Sequence, residues 1–256
     1  MDNIILICED SLEGVFTGVY ETYLNKFDHV NCRLQIGEEE NLRLFSTYIT
    51  IKSDQEKAAK VIKTLLNRFG QEMYYTLCQA LSTMDQDKGD AVYHTIVYGL
   101  SLRKFYFLDH LAVPCVTKVF ELARYAQNEI HHLKGFLRFQ ELENGILFGK
   151  IGPNNNIVTF LAPHFSDRFP MENFVIYDEN RQIFVIHPAG RGWSIVTGET
   201  MDETMTQNFT EKEKEYQELF RYFCNKIAIK ERRNLGLQRQ MLPIRFQEYM
   251  VEFSKK

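Results

Sequence analysis

The 256-residue sequence predicts an α+β fold with an N-terminal strand–helix unit, a helical middle, an antiparallel β meander and a helical, basic C-terminal segment. Three observations carry this reading. Capping signals precede apolar residues at helical spacing through the first half. Short aromatic and β-branched runs, separated by Asn and Gly turns, fill the stretch after Gly135. A third capping signal opens the last quarter, where positive charge collects. The domain organisation read from this pattern is a mostly helical part over 1–110 and a sheet with flanking helices and a basic tail over 111–256, either separate or joined in one compact domain.

Each element has a local cause. Ile4–Cys8 is an apolar run of strand length. Asp10 and Glu13 form a capping box ahead of Leu12, Val15, Phe16, Val19, Tyr23 and Phe27 at helical spacing. The polar tract Glu38-Glu39-Glu40 leads to Phe45–Lys52, whose β-branched residues predict an extended segment. Ser53 and Glu56 repeat the capping box before Val61, Ile62, Leu65, Leu66 and Phe69, and Gly70 supplies a helix stop. Residues 71–104 read as two helical pieces broken by Asp85-Gln86-Asp87-Lys88-Gly89-Asp90. That acidic stretch is an interhelical loop and not a calcium loop, because the twelfth position from Asp85 is Ile96 instead of the required Glu.

Pro114 precedes a helix expected from Val116 to Leu133. Beyond Gly135, the runs Phe136–Leu142, Ile146–Ile151 and Ile157–Leu161 predict a meander, with an Asn144-Gly145 turn between the first two. Phe174–Tyr177 and Ile183–Ile186 form a further hairpin, and Trp193–Val196 adds an edge strand. Residues 198–209 read as a surface loop or linker. Thr210 and Glu213 then cap a helix bearing Tyr216, Leu219, Phe220, Phe223 and Ile227.

Composition excludes several classes. With 45% apolar residues the chain can bury a core, so disorder is excluded. Five cysteines, odd in number and far apart, build neither a disulfide framework nor a CxxC zinc site, and buried reduced thiols are expected. No run approaches the ~20 apolar residues of a membrane span, and Met1-Asp2-Asn3 lacks the positive charge that opens a signal peptide. A cytoplasmic protein without membrane contact is expected.

The net charge of −4 is unevenly spread. From Cys224 onward eight positive and three negative side chains give +5, which leaves −9 for the rest. If the last helix continues past Ile229, Lys226, Lys230 and Arg233 share one stripe. Together with Arg232, Arg239 and Arg245, and with Tyr222, Phe246 and Tyr249 nearby, such a stripe suits phosphate contact with occasional stacking. Its bland alternative is a solvated helix face. Arg138 and Arg168 are two further phosphate candidates, with a structural Arg–carboxylate bridge as the alternative for Arg138. His131, His132, His164 and His187 lie in the second half. His164, flanked by Pro163 and near Asp167 and Arg168, is the candidate acid/base or ligand, with His131 and Asp167 assisting. The sequence contains no HExxH, and the Gly190-Arg191-Gly192-Trp193 turn matches no nucleotide loop, so neither a metal nor a cofactor is assigned.

At these residues the sequence resembles a known family. Glu129 to Phe139 is similar to its E-x-H-x-M-x-x-F-x-R-F segment, with Leu133 in place of Met, and Ala162 to Phe169 is similar to its A-P-H-F-x-x-R-F/L segment. Asp10 to Thr17 resembles its D-x-S/T-F-E-G opening, with Leu12 where an aromatic is common. Tyr216 to Phe246 resembles its closing block, while Gly190–Trp193 departs from the pattern. The family is that of bacterial DNA-metabolism or DNA-repair proteins encoded beside a radical-SAM DNA repair protein, some of them fused to a uracil-DNA glycosylase domain. The resemblance implies a DNA-repair context and a radical-SAM partner, not a reaction. The leading expectation is therefore a nucleic-acid-binding accessory protein. The alternatives are an enzyme acting on a damaged or modified base or nucleotide through His164 and His131, and a partner-docking module without DNA binding.

Overall fold

The computed structural model describes residues 3–37, 43–102, 109–199 and 208–253, with only the backbone of Lys230. The Glu38–Glu40 tract, Arg103 and Lys104, most of the 198–209 loop, and Lys255 and Lys256 lie outside the described residues. The chain divides into two compact units, Met1–Asn128 and Glu129–Lys256. No helix among the described residues is long and apolar enough to cross a membrane.

The first unit opens with β1 (Asn3–Cys8), α1 (Leu12–Leu24), β2 (Cys32–Ile36) and β3 (Ser46–Thr50), arranged as a parallel sheet of order β2-β1-β3. The sequence reading finds no strand between Phe27 and Phe45. The structure places β2 there, because Cys32, Leu34 and Ile36 alternate inward with period two. Both capping signals act one residue later than read. Ser11, not Asp10, caps α1 by accepting from the Gly14 N–H at 2.9 Å. Asp54, not Ser53, caps α2 (Gln55–Leu81), accepting from the Lys57 N–H at 3.1 Å. The displaced side chains find other partners. Asp10 pairs with the buried Lys88 at 2.5 Å, and Ser53 donates to Glu9 at 2.5 Å.

Gly70 adopts φ 83° and kinks α2, so the stop read there is a break after which the helix resumes to Leu81. The α3 (Lys88–Ser101) and α4 (Pro114–Phe136) helices follow, α4 running one turn past its expected end. Leu6, Val15, Phe16, Leu34, Leu65, Leu77, Tyr93 and Ile96 form the core. Burial raises the Cys8 thiol to about 12 and that of Cys78 to about 11, so both stay protonated. Cys224, in contrast, is only half-buried.

In the second unit, β4 (Phe139–Glu141), β5 (Leu147–Ile151), β6 (Phe174–Asp178), β7 (Ile183–His187) and β8 (Ser194–Thr197) lie in sequence order. The Asn144-Gly145 turn joins β4 to β5, with Gly145 at φ 77°. The β6–β7 hairpin and the β8 edge strand form as read. The third meander strand does not. Ile157–Leu161 enters α5 (Val158–Arg168), and β5 and β6 are parallel with α5 as their crossover. Val158, Leu161, Ala162 and Phe165 are all buried at helical spacing, a longer period that the first five residues alone conceal.

Thr210 caps α6 (Glu211–Ile227), accepting from the Glu213 N–H at 3.1 Å as expected. The helix then ends, with Ala228 extended at ψ 118°. A 3₁₀ turn (Lys230–Arg232), α7 (Leu235–Met241) and α8 (Ile244–Gln247) follow. The single stripe of Lys226, Lys230 and Arg233 is thereby overturned. Asn234 must leave helical geometry to cap α7 through the Leu237 N–H at 3.0 Å.

The contact of α1 with the sheet yields a test. A β-carbon at Gly18 would collide with the Leu34 side chain and the Cys8 sulfur, whereas one at Gly135 meets open space. Gly18→Val should destabilise the first unit by about 2 kcal/mol through overpacking. Gly135→Ala should be neutral or slightly stabilising, and urea unfolding of the two variants separates these outcomes.

Candidate nucleic-acid interface

The second unit is organised around a carboxylate. Glu129 on α4 is 2% exposed. Its Oε1 accepts the Asn154 N–H at 2.9 Å, and its Oε2 accepts the Asn155 N–H at 3.0 Å and the Asn155 side-chain amide at 2.7 Å. Arg245 on α8 closes the set at 3.1 Å. Arg245, a phosphate candidate from sequence, is thus the counter-ion of a buried acid, with its guanidinium over Phe246 at 4.7 Å. Arg138 is held similarly. It pairs with Glu252 at 2.8 Å and donates to the Gly135 carbonyl at 2.9 Å, the structural bridge that was its alternative reading. Of the three aromatic residues read as stacking partners of the tail, Phe246 is buried and Tyr249 donates its hydroxyl to Glu179, which also pairs with Lys150 at 2.5 Å. Tyr222 is exposed, with Lys226 over its ring at 5.2 Å.

Other cations remain open. His164 on α5 is half-buried, and Lys134 in the last turn of α4 and Arg168 in the last turn of α5 act on it. Burial first, then these two positive charges, lower the His164 pKa, and Asp167 only partly opposes them. The electrostatic surroundings of His164 are therefore positive on balance. In the arm beyond α6, Arg232, Arg233 and Arg239 are exposed. None of these three is held by a carboxylate among the described residues.

The histidines do not converge. His131 is exposed, and its ring neighbour is His132 at 6.4 Å. His132 stacks on Phe136 at 5.6 Å and meets the edge of Phe246 at 5.7 Å. His164 contacts the Phe165 ring, and the exposed Asp167 influences it only electrostatically. His187 is buried against Phe174 at 4.5 Å, with its Nδ1 on the Glu172 carbonyl, a packing role. Among the described residues, no three His, Cys, Asp or Glu side chains form a metal-binding group.

Sequence reasoning missed a cleft of about 760 Å³ in the first unit, lined by His29, Arg33, Asp90, His94, Tyr98 and Lys118 among others. There Asp90 accepts the Leu34 N–H at 3.1 Å and pairs with His94 at 3.4 Å, while His29 meets the Tyr93 hydroxyl at 2.6 Å. The available signal was the i,i+4 spacing of Asp90 and His94, which puts both on one helix face.

Glu129→Ala should destabilise the second unit by about 3 kcal/mol, since it leaves the buried Asn155 backbone and side-chain N–H groups without their acceptor and removes the partner of the half-buried Arg245. Glu129→Gln should cost less, because it retains an acceptor oxygen. Chemical denaturation followed by circular dichroism measures both.

A solved structure, the DHH domain of a member of a family of ribosomal proteins, is 10% identical over 72% of this chain and 73% of its own, at a TM-score of 0.31. A likeness that weak carries no argument. No curated protein matches the chain. A family model described as a domain of unknown function, DUF4130, matches residues 86–252. That span holds α3 and α4, the whole five-stranded sheet, Glu129 with all its partners, and the basic arm, and the chain belongs to the DUF4130 family.

Proposed function

We propose that this protein is a cytoplasmic DNA-metabolism or DNA-repair accessory that binds nucleic acid through its second unit. The observation that carries the reading is the set of exposed arginines Arg232, Arg233 and Arg239, which have no carboxylate partner among the described residues, whereas Arg138 and Arg245 do. The surroundings of His164 support it, since a phosphate there would be attracted by Lys134 and Arg168, the two positive charges that disfavour the imidazolium. In this reading His164 is a phosphate ligand and not an acid/base catalyst. The resemblance of Glu129–Phe139, Ala162–Phe169 and the closing block to DNA-repair proteins supports the context. The fusion of some such proteins to a uracil-DNA glycosylase domain supports the same context, and their being encoded beside a radical-SAM repair enzyme supports joint action with it.

Oligonucleotide binding measured by fluorescence anisotropy across a salt series tests the proposal. Neutralisation of about four phosphates should give a slope of log affinity against log salt of roughly −3.6 on duplex DNA. Reversing Arg232, Arg233 and Arg239 to Glu should abolish binding, and absence of binding at low salt would sink the reading. The imidazole supplies a second readout. Burial and two cations lower the His164 pKa, so bound phosphate, which stabilises the imidazolium, should move it upward. An NMR titration of His164 that shows no change with saturating oligonucleotide would remove the residue from the interface.

A further inference from the structure

The α6 helix is amphipathic, but the face it half-buries is mostly polar and its apolar stripe is exposed. Its half-buried residues are Glu213, Gln217, Arg221 and Cys224. This polar face is tied to the unit by Arg221, whose Nε donates to the Val251 carbonyl at 3.1 Å and whose other nitrogen reaches Gln217 at 3.2 Å. The apolar residues occupy the adjoining face, centred about 105° round the helix at 100° per residue. Tyr216, Leu219, Phe220, Phe223 and Ile227 are 56%, 61%, 39%, 52% and 60% exposed, and no residue of α6 is buried. At helical spacing these five fall within an arc of about 100°, the width of a stripe that normally faces a core. Ile229, Leu235, Leu237 and Met241, in the arm that follows the helix, are exposed as well. A contiguous patch of this kind marks an interface, because solvent exposure of so much apolar area is unfavourable.

The charges of the helix select the occupant. Residues 211–218 carry four glutamates against two lysines, while residues 219–227 carry Arg221 and Lys226 and no acid. A parallel neighbour of the same sequence would set like charge beside like. An antiparallel one sets acidic half against basic half. Pairing about a twofold axis between Phe220 and Phe223 places Tyr216 opposite Ile227 and Phe220 opposite Phe223, with Leu219 at the level of Cys224, so four of the five stripe residues meet one another. The same register brings Glu215 of one copy beside Lys226 of the other. We propose that α6 is a self-association surface on which a second copy of this chain docks antiparallel, giving a twofold dimer whose contact is isologous.

Sedimentation equilibrium of the full chain over a concentration series tests this. A reversible monomer–dimer equilibrium is expected. Leu219→Glu with Phe223→Glu should weaken it at least about tenfold, the equivalent of losing 1.4 kcal/mol of association energy. Because both positions are exposed, circular dichroism and the thermal midpoint should not change. The charge pairing has its own readout. Glu215→Lys and Lys226→Glu should each weaken self-association, and a mixture of the two variants should recover a dimer between them. A chain that stays monomeric throughout the series, or a dimer indifferent to the double Glu variant, overturns the proposal. The monomeric outcome would leave the stripe to a different protein.

Discussion

The second unit depends on a buried carboxylate. Glu129 leaves water almost completely, which is tolerable only because four donors from two chain segments surround it. Desolvating a carboxylate costs several kcal/mol even after relaxation, and only near-complete hydrogen bonding offsets it. The acid therefore dictates its surroundings. It holds the loop after β5 through the Asn154 and Asn155 amides and secures α8 through Arg245. A second buried acid grips the same loop from the sheet side. Asp178 is fully buried and accepts the Asn180 N–H at 3.0 Å, while Arg181 bridges from Asp178 to the Pro153 carbonyl at 2.9 Å. Burial raises the Asp178 pKa, with Arg181 opposing it. Gly152 has little latitude here, because a β-carbon would strike the Tyr249 hydroxyl.

This arrangement decides which cations remain available. A buried acid consumes Arg245 and a nearly buried one consumes Arg138, so both guanidiniums hold the fold together. Those left over are the arginines of the arm, Arg232, Arg233 and Arg239, which no carboxylate among the described residues holds, and the cations Lys134 and Arg168, whose charges outweigh that of Asp167 at His164. Positive charge on this unit thus falls into two sets, one consumed inside the fold and one left at its surface. Its total says little about ligand binding until the internal ion pairs are removed from it.

The first unit follows a different logic. Its parallel sheet is covered by α1, which approaches closely because Gly18 has no side chain to hold it away from Leu34 and Cys8. Lys88 is buried near the start of α3, and its ammonium is satisfied by Asp10 and by the Thr83 carbonyl at 2.6 Å. The resemblance segment that opens with Asp10 therefore has a packing explanation. Asp10 serves as counter-ion, and Ser11 beside it serves as cap.

Local physics was legible in the sequence. Periodicity located most helices, the Asn144-Gly145 turn located its hairpin, and Thr210 located the start of α6. Errors arose where a short window was compatible with two periods, as at Ile157–Leu161, or where two adjacent residues could both cap, as at Asp10-Ser11 and Ser53-Asp54. The −9 and +5 division of charge was also in the sequence, as were the individual arginines. What no one-dimensional pattern contained was pairing. Glu252 lies 114 residues from Arg138, and Glu129 lies 25 residues from Asn154 and still farther from Arg245. Only folding brings such groups into contact. Secondary structure follows from spacing along the chain because its hydrogen bonds are local. The role of each charge is decided by the tertiary structure, because desolvation and ion pairing depend on neighbours that the chain supplies from a distance.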